Sequence, residues 1–179
     1  MSEFSNRSLC SESQLNPREG IMTQKEKHSP EECHRKSAAD CFNLVWSLLE
    51  KEDRSREEDD KMVHAAHASR FHWGEIGTAL ELERGEWQIS RVYSVLNRPQ
   101  AALYHAQRCL EICTKNKIED FDIAFAHEAM ARANAASGNK PEFERHYRLA
   151  KEAGEKIAGE EDKGYFVADL ESGPWYGMK

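Results

Sequence analysis

The sequence predicts an all-α protein of stacked antiparallel helical hairpins, about three of them followed by a capping helix. Three observations carry this. Apolar residues recur at three- and four-residue steps through most of the chain, as in Cys41, Phe42, Val45, Trp46, Leu48 and Leu49. Helix-start and helix-stop residues punctuate those stretches at short intervals. No segment alternates apolar and polar residues in the manner of a strand.

The elements follow in order. Residues 1–28 are rich in Ser, Glu, Asn, Lys and Arg without periodicity and are read as a disordered segment. Ser29, Pro30 and Glu32 supply a cap, a first-position proline and a capping box for helix 1. Ser55 and Glu58 repeat the box for helix 2. Glu57, Asp59 and Asp60 sit at its positive end, as dipole partners rather than metal ligands. Gly74 and Gly77 break the pattern after Trp73. Helix 3 is expected over Leu80–Leu96, with Gly85 a weak point. Pro99 opens helix 4. Helix 5 runs to a left-handed cap at Gly138, Asn139 caps helix 6, and Gly159 stops it. A short helix from about Glu161 to Leu170 should fold back over the last hairpin. The domain is thus placed at 29–171, with a C-terminal tail over 172–179 whose Trp175 and Tyr176 dock on the body.

Composition narrows the function. The 179 residues suit one domain, and 32% of them are charged, which fits helices exposing wide polar faces. A net charge of -7 argues against a non-specific nucleic-acid or membrane-surface role. The N-terminus lacks an apolar signal core and no run is long enough to cross a bilayer, so a cytoplasmic location is expected. Five cysteines, an odd count with no C-x-x-C, agree with a reducing compartment. Cys109 and Cys113 share one helix face, but two thiols make no zinc site without further ligands. With Cys41 they are read as small apolar residues.

Two stretches match at an offset of 41 residues: EWQISRVYSVLNRPQAALYHAQRCLEI from Glu86 and HEAMARANAASGNKPEFERHYRLAKEA from His127. Ser90 aligns with Ala131, Asn97 with Gly138, Ala102 with Phe143, Ala106 with Tyr147 and Cys109 with Ala150. VLNRPQAALYHAQRCLEI resembles the turn and second helix of the tetratricopeptide repeat. The offset exceeds that family's period of about 34. Phe143 stands where the family has Ala, and neither copy ends in its proline. MVHAAHASRFHWGEIGT through RGEWQISRVYSVL is also similar to a group of bacterial proteins with no activity attached.

The resemblance implies a TPR-like α-solenoid whose first helices line a concave surface bearing Arg84, Trp87, Arg91, Phe125, Glu128 and Arg132. Arg91 and Arg132 align across the repeat. Two guanidinium groups in register suit a carboxylate or phosphate, with Trp87 and Phe125 as apolar anchors, so a protein or peptide partner, acidic in character, is expected. The competing reading has both arginines paired with Glu86, Glu128 or Asp122 and only solvating a face. A second candidate is a metal or small-ligand site at His64, His67 and His72, where a carboxylate at ligand spacing is missing. No nucleophile, phosphate-loop or dinucleotide motif is present, which argues against an enzyme and leaves catalysis open only to the histidine alternative, and no cofactor is expected. Self-association through an open hairpin edge, giving a homo-oligomer, is the third reading.

Overall fold

The computed structural model describes residues 29–179, and the expectation for residues 1–28 lies outside them. Two capping boxes start the first hairpin. The Ser29 hydroxyl accepts from the Glu32 amide at 3.2 Å while the Glu32 carboxylate accepts from the Ser29 amide at 2.6 Å, opening α1 (Pro30–Leu49). Ser55 and Glu58 do the same for α2 (Arg56–Ile76).

The junction between hairpins differs from the expectation. Gly74 does not interrupt α2, which continues to Ile76 and stops at Gly77 in extended conformation. Thr78 then caps α3 (Ala79–Val95) through a third box with Glu81, whose carboxylate accepts from the Thr78 amide at 2.7 Å. A helix tolerates one glycine at modest cost, whereas an extended residue ends it. Gly85, expected to weaken α3, is where Arg70 of α2 crosses: a Cβ there would lie 3.2 Å from the Arg70 Cβ.

Pro99 opens α4 (Pro99–Asn116), which closes on Lys117 in the left-handed region at φ 54°. The next helix, α5 (Asp120–Ser137), closes on Gly138 at φ 74°, where glycine carries no Cβ penalty. In α6 (Lys140–Gly154), Asn139 precedes the helix without a side-chain cap bond. This helix ends at Gly154, before Gly159, and position 154 has room only for glycine, since a Cβ there would overlap the Phe166 ring of α7 (Glu160–Ser172). Gly159 instead sits at the start of α7.

The seven helices of the described residues pack in adjacent pairs, α1 with α2, α3 with α4 and α5 with α6, and no strand is present among them. Three apolar clusters join the layers. Val45, Met62, Ile89 and Val92 seal α1, α2 and α3. Trp87, Ala102, Ala106, Ala126 and Ala133 seal α3, α4 and α5. Ala124, Phe143, Ala150, Phe166 and Leu170 seal α5, α6 and α7. The final residues fold back onto this last cluster: Trp175 is buried against Phe143 and Tyr147, and the Tyr176 hydroxyl donates to the Ser94 carbonyl. No helix of the described residues is long and apolar enough to cross a membrane.

Candidate functional site

The first helix of each pair, α1, α3 and α5, faces a common cleft of about 650 Å³, and α7 forms its far wall. Helical spacing sets its lining. Phe42 and Trp46 lie four apart on α1, Glu83 and Trp87 four apart on α3, and Phe121 and Phe125 four apart on α5. Their rings form a chain: Trp46 tilts against Trp87 at 5.7 Å between centroids, Trp87 meets Phe125 edge-on at 5.3 Å, and Phe125 meets Phe121 at 4.6 Å. Tyr165, 64% exposed, stands on α7 at the rim. Such contacts add stabilisation beyond the area they bury.

Of the six residues expected on the concave side, Arg84, Trp87 and Phe125 line this cleft, whereas Arg91, Glu128 and Arg132 do not, and the charges of the set are engaged. Arg84 grips Asp122 with two parallel bonds of 2.7 and 3.2 Å from Nε and Nη2. Its side chain remains 49% exposed. The hydrogen bond to Asp122 holds its pKa above the usual arginine value against the effect of burial. Arg91 and Arg132 do not present a free anion site. Arg91 Nη1 donates to Glu128 at 3.1 Å, and its Nη1 and Nη2 bind both oxygens of Asp169 on α7. Arg132 donates to the same Glu128 carboxylate and to the Asp169 backbone carbonyl and carboxylate. Trp87 Nε1 completes the set, donating to Glu128 at 3.1 Å. The pairing with Glu128 that the sequence offered as the competing reading is therefore present, with Asp169 as a second acid.

Burial pushes both guanidinium groups down, Arg132 to about 9, and the charge of Arg91 adds to the effect on Arg132 while Asp169 opposes it. Both stay cationic at neutral pH. Arg132 Nη1 has no hydrogen-bond acceptor, but its guanidinium lies 4.4 Å from the Trp175 ring centroid. The two acids and two arginines balance in charge, which is the condition for keeping ions inside a protein.

Glu83 is a different case. It is 1% exposed, at the back of the cleft, and its Oε2 receives the Cys109 thiol at 3.2 Å and the Cys113 thiol at 3.6 Å. Its Oε1 has no hydrogen-bond partner. Arg84 Nε lies 3.7 Å away, too far to bond, and is committed to Asp122. Burial, reinforced by Cys113 and Asp122, raises the Glu83 carboxyl to about 10, so it is protonated at neutral pH.

The histidines expected to share a metal do not converge. His72 Nδ1 meets His34 Nδ1 on α1 at 3.0 Å, whereas His67 Nε2 meets the Tyr93 hydroxyl at 2.9 Å, and His64 is exposed. The shared helix face is real, but α2 turns its histidines toward two different neighbours. Among the described residues, the side chains whose potential ligand atoms all fall within 4.8 Å of one another are Glu83, Cys109 and Cys113.

Two of these functional positions escaped the sequence reading. Glu83 lies one turn before Trp87 on the buried face of α3, and an acid in that register was the available signal. Asp169 carries none, because its role depends on where α7 lands. No family model, curated protein or solved structure matches this chain.

Proposed function

We propose that the chain is a peptide- or protein-binding module, and that its partner inserts a bulky apolar side chain into the cleft between α1, α3, α5 and α7. The observation that carries this is the aromatic lining of a cavity of about 650 Å³, a volume typical of ligand sites. The arrangement also supports a tetratricopeptide-like reading, in which first helices form the recognition surface. Cysteine usage supports action in the cytoplasm.

The expected partner changes in one respect. Arg91 and Arg132 are matched by Glu128 and Asp169, so they offer no charge to an acidic segment. Arg84 does: Nε and Nη2 hold Asp122, and its exposed edge can donate to a backbone carbonyl or carboxylate beside the inserted side chain.

Panning a random peptide library against the purified protein tests this. Enriched peptides should share one bulky apolar residue. Tyr165→Ala and Arg84→Ala should each weaken them by about tenfold, the loss typical of an aromatic or arginine anchor. Tyr104→Ala, exposed and outside the cleft, should not. Absence of enrichment, or peptides indifferent to both cleft variants, would reject the reading.

A further inference from the structure

We propose that Glu83, Cys109 and Cys113 bind a zinc-class divalent cation at the back of the cleft. This does not depend on the peptide-binding reading.

The geometry comes first. Cys109 and Cys113 lie one helical turn apart on α4, so both sulfurs project toward α3, where Glu83 meets them. Zinc bonds to sulfur at about 2.3 Å and to carboxylate oxygen at about 2.0–2.2 Å. In a tetrahedron those lengths place a sulfur and an oxygen roughly 3.5 Å apart. The observed separations are 3.2 and 3.6 Å. Two thiolates and a carboxylate are also the donor set that zinc accepts and that magnesium and calcium, which take oxygen ligands, do not.

The second observation is the unpartnered oxygen. The two thiols serve only Oε2, so in the protonated carboxyl Oε1 carries the proton at 1% exposure, beside Asp122 but without a well-formed hydrogen bond. A buried polar atom in that state destabilises the metal-free fold. A cation ligated by Oε2 and the two sulfurs replaces three buried protons, one from the Glu83 carboxyl and one from each thiol, all released to solvent.

The repeat supplies the third. Carrying the 41-residue offset beyond the matched stretches aligns Glu83 with Ala124, Cys109 with Ala150, and Cys113 with Gly154. In the third hairpin those positions are small and apolar, and the Phe166 ring fills the space beside them. The backbone frame therefore needs only small residues here. An acid and two thiols in the second hairpin are not required by packing, and their convergence calls for another cause. Asp122 remains with Arg84, so three protein ligands leave a fourth position for solvent or for a donor entering by the cleft that Glu83 lines.

The test is cobalt titration of the full chain, purified under reductant and freed of metal by chelator. Tetrahedral thiolate coordination gives a near-ultraviolet charge-transfer band and intense visible bands. Both should saturate at one equivalent of Co²⁺ and vanish on adding Zn²⁺. Cys109→Ala with Cys113→Ala should abolish them while circular dichroism stays helical. Glu83→Gln should weaken binding roughly a hundredfold, at the upper end of what even an outer-shell group costs. A chain with Cys10, Cys33 and Cys41 all changed to Ser should keep the full signal, which tests the site even if the double alanine variant does not fold. No charge-transfer band at stoichiometric cobalt, or a band that is lost with the three serines, would overturn the proposal.

Discussion

The second and third hairpins share one frame offset by 41 residues, yet they fill its equivalent interior positions with different chemistry. Glu86 of α3 meets His105 of α4 at 2.7 Å; the corresponding residues of the third hairpin are His127 and His146, which meet at 3.2 Å. Trp87 corresponds to Glu128, and the two bond to each other across the layers. Arg91 corresponds to Arg132, and both close on the same two acids. Glu83, Cys109 and Cys113 correspond to Ala124, Ala150 and Gly154. The comparison separates two requirements. Helix packing fixes the small and aromatic positions that hold the layers at their spacing, and it leaves the polar interior of each layer free to specialise.

The largest expected effect comes from removing what fills the third hairpin's version of the slot. Phe166 is 1% exposed and reaches over Gly154 to stack edge-on with Phe125 at 5.0 Å. Phe166→Ala should cost about 3–5 kcal/mol, the usual range for a buried phenylalanine. Urea denaturation would measure it. A loss under about 1 kcal/mol would mean that α7 does not plug the third hairpin.

A medium effect should distinguish the two polar pairs by pH. Burial, the charge of His146 and that of Arg145 lower His127 from 6.5 to about 4. Burial and Arg145 lower His146 as well, with Glu142 acting against them. Between pH 6.5 and about 4 the unfolded chain therefore binds more protons than the folded one. Stability present above pH 6.5 is lost as pH falls through this window and levels off below it. The loss should be on the order of 2 kcal/mol after allowing for partial exposure. The equivalent Glu86 acts in the same direction but in a more acid window: burial raises it, but the His105 hydrogen bond and the Arg70 charge outweigh that and hold it below its usual 4.5, so its contribution is lost only as pH falls below that value. His127→Gln should flatten this part of the stability-against-pH curve. A curve unchanged by His127→Gln would place the acid sensitivity elsewhere.

The ease with which these hairpins can be read from sequence follows the same division. Helix starts are local, so Ser29, Ser55 and Pro99 announced α1, α2 and α4, and the left-handed Gly138 announced the end of α5. The Thr78–Glu81 box is equally local and was masked by Gly74, whose reputation as a breaker outweighed a cap four residues later. The end of α6 was not local. Gly154 and Gly159 look alike in sequence, yet Gly154 closes α6 beneath the Phe166 ring and Gly159 precedes α7. The candidate site divides likewise. Arg84, Trp87, Arg91, Phe125, Glu128 and Arg132 were brought to one side by helical spacing and the repeat. Whether their charges were free depended on Asp169, which reaches them from α7, 78 residues along the chain from Arg91.

The smallest effect is the sharpest test of the shared frame, because two opposing terms must be weighed. Gly154→Ala gains helix propensity, about 1 kcal/mol for an interior position, and less at the end of α6. It also inserts a Cβ where the Phe166 ring stands, and overpacking of this kind costs about 1–3 kcal/mol. The ring also packs edge-on against Phe125, so shifting it disturbs that contact. The steric term should prevail, giving a net loss of about 1 kcal/mol in urea denaturation. In metal-free protein the equivalent change in the second hairpin, Cys113→Ala, removes a sulfur and adds no atom. It should therefore not introduce the overlap that Gly154→Ala does, and its midpoint should move less. If Gly154→Ala were instead the milder of the two, Phe166 would have room to yield, and close packing by α7 would not be the reason this slot holds a glycine.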